Sequence, residues 1–290
     1  MKNYELLGHK WEYYKPLPEI LQEMEADEIL SRDSHSAEAR SEQIQRLLEY
    51  PAFQHLGFGP IDGVREKMEY GVDLAIEYFC SNWWLPEEIK RICQKEVLKP
   101  FLEQNPDLMD YFIDAASKAM DKSRPDRELE WFDAYTSALI FGGLVGRWDD
   151  LGRISSWFDA TIEPEYSAGT MEDEYYQLFV CIAGGLSPTP MEGAAELLAK
   201  VKKCRAKRVR LLCAAWEAAQ AADQKAFDKA FLETVKHYLS KPEDGQMHTW
   251  LALHQSAVWL IAEHRGLKLP PLSEKQAAAV LTRHSTGLAE

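Results

Sequence analysis

Residues that favour β-strands are scarce in this chain of 290 residues: Ile, Val and Thr together number 31, whereas Leu plus Ala number 65. Ala and Leu lose little on entering a helix, so the imbalance argues against a sheet protein. Bases are also in deficit. Lys plus Arg number 33 against 47 acids, for a formal charge of −14. A general grip on nucleic acid backbone or an anionic membrane needs local positive charge, so neither partner is expected. No apolar run reaches the roughly eighteen residues of a membrane span. The residues from Lys2 to Lys10 hold no apolar stretch of signal-peptide type. The five cysteines (Cys80, Cys93, Cys181, Cys204, Cys213) are odd in number and form no C-x-x-C pair. Free, mostly buried thiols in a reducing cytoplasm are the expectation.

What remains is ordinary globular material, 46% apolar and 28% charged, which excludes a disordered chain. Apolar residues at Ile61, Val64, Met68, Val72, Ala75 and Phe79 recur every three or four positions, one face of a helix. Leu108, Tyr111, Phe112, Ala115 and Ala119 repeat the pattern. Further helices are expected at about 17–31, 36–50, 86–103, 126–146, 149–160, 171–185, 190–203, 206–222, 224–240, 247–265 and 273–283. Thr189-Pro190-Met191-Glu192 and Ser273-Glu274-Lys275-Gln276 look like helix starts with capping boxes, and Gly266 looks like a helix stop.

Two stretches share a layout. Ser137 to Gly146, then Arg147-Trp148-Asp149-Asp150-Leu151 and on to Phe158, matches Ala214 to Ala222, then Asp223 to Phe227 and on to Val235. Gly146 aligns with Ala222 and Leu151 with Phe227, as in two helical hairpins with close turns. The expected fold is all-α. Irregular, tetratricopeptide-like antiparallel hairpins stack in one continuous domain over 1–290, with N-terminal helices (1–125) against the hairpin region (126–290).

Catalytic signatures are missing. The chain has no G-x-x-x-x-G-K, no G-x-G-x-x-G, no G-x-S-x-G and no H-E-x-x-H. Asp107, Asp110 and Asp114 share a helical face and could hold magnesium, with Glu66, Glu69, Asp73 and Glu77 as an opposing set. A solvated acidic face explains them as well. His248, His254 and His264 are not spaced as a ligand set, and His254 sits in a nearly apolar stretch that suits a buried, hydrogen-bonded ring. We therefore expect no enzyme, no cofactor and no metal site.

Charge is distributed unevenly. Residues 126–176 hold twelve acids against three bases, interleaved with aromatics, as a surface recognising a basic protein would. Within it Asp149 and Asp150, at the turn after Trp148, and Glu172, Asp173 and Glu174, opening a helix, are expected to face solvent. Trp148 is the candidate anchor, or a plug for its own hairpin. One segment has the opposite sign: Lys200, Lys202, Lys203, Arg205, Lys207, Arg208 and Arg210, with no acid among them. A solvated turn, pairing with the acidic region and binding a phosphate-bearing ligand all fit that run.

The C-terminal part carries a family likeness. Ala214-Ala215-Trp216-Glu217-Ala218-Ala219 leads into a hairpin. Trp250-Leu251-Ala252-Leu253 then runs through Ala257-Val258-Trp259-Leu260-Ile261-Ala262 to His264-Arg265-Gly266-Leu267-Lys268-Leu269-Pro270. This pattern, over about 130–285, resembles the immunity protein 49 family of bacterial polymorphic-toxin systems. The resemblance implies an all-α, non-catalytic cytoplasmic protein that binds and neutralises a cognate toxin, and it assigns no site residue. An acidic protein suits a basic toxin as partner. A helical-repeat scaffold for another protein, or a magnesium-dependent all-α enzyme, are the alternative readings.

Overall fold

The computed structural model describes residues 2–9, 16–31, 37–80, 131–160, 171–240 and 250–289, with backbone only at 26–31, 37–39 and 171–174. The protein is all-α, and the described residues contain no strand. In chain order the helices are α1 (Asn3–Leu6), α2 (Leu17–Ser31), α3 (Ala37–Arg46), α4 (Glu49–Leu56), α5 (Val64–Cys80), α6 (Trp131–Val145) and α7 (Trp148–Ser155). They continue with α8 (Met171–Leu186), α9 (Ala194–Val201), α10 (Lys207–Gln220), α11 (Gln224–Leu239), α12 (Leu253–His264) and α13 (Glu274–Ala279). The helix expected at 107–120 and the one at 86–103 lie outside the described residues.

Helix α6 is the axis. Trp131 and every residue from Ala134 to Leu144 are buried, so this helix is enclosed on all faces, and α3, α5, α7, α8 and α12 pack around it. Small residues bring those neighbours close. A Cβ on Gly71 of α5 would lie 2.5 Å from the Phe141 ring, one on Gly142 would lie 2.6 Å from Leu151 Cγ, and one on Gly143 would lie 2.8 Å from Leu260 Cβ. Each glycine thus seats a large side chain of a neighbouring helix, or, at Gly71, of α6 itself. Burying a residue such as Phe141 or Leu260 contributes about 1.5–3 kcal/mol, and these contacts are where α6 collects it.

Amphipathic spacing locates α5 correctly: Val64, Met68, Val72, Ala75 and Phe79 form its buried face. The predicted helix 36–50 is instead two helices, because the chain turns at Leu47–Leu48 and α4 restarts with Pro51 in its first turn. Helix α4 anchors the C-terminal residues. His55 Nε2 donates to the Ala278 carbonyl (2.8 Å), and its Nδ1 pairs with Ser285 Oγ (2.7 Å). Beside it Gln54 Nε2 donates to the Thr286 carbonyl. The Ser273 capping box is present, with Gln276 reaching back to the Ser273 N–H. The one expected at Thr189 is not. Ser187 Oγ takes the Thr189 N–H and α9 starts only after Gly193, so no N–H of a first turn is available to Thr189.

The α6–α7 and α10–α11 hairpins share one turn geometry. Gly146 (φ +81°) and Ala222 (φ +52°) are both left-handed. The following amides then bond back five residues, Arg147 N–H to Gly142 O (2.8 Å) and Asp223 N–H to Ala218 O (3.0 Å). Leu151 and Phe227 both plug their hairpins at zero exposure. The match ends there, since α7 has 8 residues and α11 has 16.

Replacing Gly142 or Gly143 with Ala should lower stability by about 1–3 kcal/mol through overpacking. At an open helical position the same change would raise it by about 1 kcal/mol. Urea denaturation followed by circular dichroism distinguishes the two signs.

Candidate functional site

The turn into α7 carries three of the sequence-designated residues, and Arg147 organises them. Its position matches Asp223 in the other hairpin, where the side chain caps α11 by accepting the Ala226 N–H (3.0 Å). Arg147 cannot cap as an acceptor. It turns its guanidinium across to α5, donating to Asp73 Oδ1 (2.6 Å) and to the Glu69 carbonyl (3.1 Å), while Nε donates to Asp150 Oδ2 (2.7 Å). Burial alone would lower the Arg147 pKa, but the two carboxylates outweigh it and raise it, so the clasp stays charged.

This clasp divides the expected acidic pair. Asp149 is exposed, as its position predicts. Asp150 is not a free surface acid: its side chain keeps 25% exposure and lies between Arg147 and Arg153 (3.9 Å). Trp148 is half-buried and stacks on His264 of α12, ring centroids 4.2 Å apart and 12° from parallel. The stack ties the start of α7 to α12 and leaves Trp148 half-buried beside Asp149. His264 is held below its ordinary pKa by burial and by Arg265, with Asp149 opposing. Glu172, Asp173 and Glu174 open α8, but their side chains lie outside the described residues.

The acids of α5, considered as half of a metal site, are mostly engaged elsewhere. Glu69 pairs with Arg65 (3.9 Å), Asp73 with Arg147, and Glu77 with Arg40 of α3 (3.7 Å). Glu66 and Asp62 are exposed near the start of this helix. Asp107, Asp110 and Asp114 lie outside the described residues. Among the described residues no group of three or more His, Cys, Asp or Glu is arranged to hold a metal ion. Sequence reasoning missed the Arg147–Asp73 contact because 74 positions separate the partners and a local charge count treats each as part of its own run.

Other candidates resolve separately. His254 is half-buried, its ring enclosed by Phe132, Tyr175 and Phe179, and no hydrogen bond to it is present among the described residues. His248 lies outside the described residues. The described cysteines are all free; Cys181 and Cys213 are buried, Cys204 is half-buried and Cys80 is exposed. Burial pushes the Cys181 and Cys213 thiols up to about 12, which keeps them protonated and unreactive at neutral pH. In the basic run, Lys202 pairs with Glu217, and Arg210 donates to the carbonyls of Cys204 and Arg205.

No family model matches the chain, and neither a curated protein nor a solved structure is significantly similar to it.

Burial pushes the His254 pKa down to about 4, with Arg208 adding to the effect. The unfolded chain takes up that proton near the ordinary value of about 6.5, while the folded chain stays neutral there. This contribution to stability is therefore complete above pH 6.5 and is lost as pH falls toward 4, at up to about 1.4 kcal/mol per pH unit. A melting series on His254→Leu should show a shallower decline than the parent over that window. Parallel declines would mean that the ring titrates freely.

Proposed function

We propose that this protein binds and neutralises a cognate toxin, and that the turn opening α7 is part of the docking surface. The observation that carries the reading is the exposed carboxylate of Asp149 beside the half-buried, stacked Trp148, on a turn held by the Arg147 clasp. An acid of this kind speeds encounter with a basic partner, and a pre-positioned aromatic prolongs contact because little freedom is lost on binding. Glu172, Asp173 and Glu174 extend the acidic surface in this proposal. Asp150 supports it from behind, through Arg147. The partner is a basic protein, the site of action is the cytoplasm, and the chain has no catalysis, cofactor or metal of its own. No helix of the described residues is long and apolar enough to cross a membrane. The paired left-handed turns favour a helical-repeat scaffold with another protein partner as the second reading.

The test is protection of cells. A toxin domain encoded immediately upstream would be expressed with and without this protein. Growth should be restored by the parent chain and by a variant with Asp107, Asp110 and Asp114 changed to Asn. It should be lost on combining Asp149→Lys with Lys at Glu172, Asp173 and Glu174, the helical signal remaining unchanged. Asp150 is left out because its reversal would break the clasp and confuse unfolding with lost binding. Full protection by the charge-reversed variant would remove this surface from the mechanism. Loss of protection in the Asn variant would point to a metal-dependent activity instead.

A further inference from the structure

A second surface, independent of the acidic turn, lies where α9 passes into α10. Residues 200–210 contain seven of the chain's 33 Lys and Arg residues and none of its 47 acids. Lys200, Lys202, Lys203, Arg205, Lys207 and Arg210 are all exposed. Two of these have evident structural work. Lys202 is paired with Glu217 across to the third turn of α10, and Arg210 donates to the Cys204 carbonyl (2.5 Å) and the Arg205 carbonyl (2.8 Å), tying the loop down. Lys200, Lys203 and Lys207 make no ion pair with a described carboxylate. The first turn of α10 has no acid and its N-cap Ala206 offers no side-chain acceptor, so the positive end of the helix dipole reinforces the lysines. Apolar surface adjoins them. Of the eight residues of α9 only Val201 is buried; Leu197 and Leu198, like Met191 before them, pack on one side against the core and are half-buried, leaving part of each side chain open.

We propose that this loop docks a short acidic segment of a partner protein, one that carries apolar side chains among its carboxylates. Charge complementarity selects the sign, and the open parts of Leu197 and Leu198 select a small apolar component. The acid-free basic run spans only residues 200–210, which suits a short protein segment. The protein as a whole carries −14, so a nucleic acid strand or an anionic bilayer extending past the loop meets like charge, whereas a peptide confined to it does not. The Arg210 tether fixes the loop beforehand, which limits the ordering cost of binding.

Fluorescence anisotropy tests this on the full chain. The probe is a fluorescein-labelled peptide of about twelve residues that alternates Glu pairs with single Leu, compared with the same peptide carrying Ser for Leu, oligothymidylate of equal length, and phosphatidylserine vesicles. The Glu–Leu peptide should saturate at tens of micromolar and weaken about tenfold or more as salt rises well above physiological ionic strength. The Ser peptide should bind several-fold more weakly. Combining Lys200→Glu, Lys203→Glu and Lys207→Glu should abolish saturation, and the corresponding Gln variant should weaken it if the Glu variant does not fold. No saturation with the Glu–Leu peptide, equal binding by a folded triple variant, or tighter binding of oligothymidylate or vesicles would each overturn the proposal.

Discussion

Enclosure of one helix on every face is the constraint from which the rest of this architecture follows. Between Ala134 and Leu144 helix α6 has no solvent side, so its neighbours must surround it, and three of them approach closely where glycine stands at the contact. Phe141 enters over Gly71, Leu151 over Gly142 and Leu260 over Gly143. Those three contacts join α5, α7 and α12 to a single axis. The cost is the conformational freedom that each helical glycine surrenders on folding, about 1 kcal/mol relative to Ala. The return is dense packing between helices drawn from distant parts of the chain.

Electrostatics then fixes what the packing leaves adjustable. The chain is strongly acidic, yet many of its described carboxylates are structural. Asp73 and Asp150 share Arg147, Glu77 reaches Arg40, and Glu217 holds Lys202. The Arg147 clasp matters most, because it joins α5 to the turn that begins α7 and sets the direction in which Asp149 and Trp148 face. Acids left outside such pairs, Asp149 among them, are the ones free to meet a partner. The distinction between stitching and free charge is what turns a crude acidic count into a specific surface.

Much of the fold was legible in the linear chain because the signals that encode it are local. The spacing from Val64 to Phe79 marks α5, Ser273 with Gln276 marks the start of α13, and the alignment of Gly146 with Ala222 anticipates two left-handed turns of the same form. Thr189 misled for the converse reason: a capping pattern acts only if a helix begins behind it, and here Ser187 claims the Thr189 amide. The candidate site was less legible. Trp148 and Asp149 were singled out from composition, but His264, which stacks on Trp148, and Asp73, which shares Arg147, lie far along the chain. No local rule connects such residues. Only the closing of helices around α6 brings them together.

Amide hydrogen exchange, resolved by helix, tests the organising role of α6 most directly. Residues Ala134 to Leu144 should exchange last, by an opening that costs as much as global unfolding, while the largely exposed α9 exchanges early and independently. The turn from Gly146 to Asp150 should be protected more strongly in the parent protein than in an Arg147→Met variant, with α6 itself little changed. Exchange of α6 as early as α9 would contradict the account, since a helix that opens so readily cannot be the axis on which the others are held.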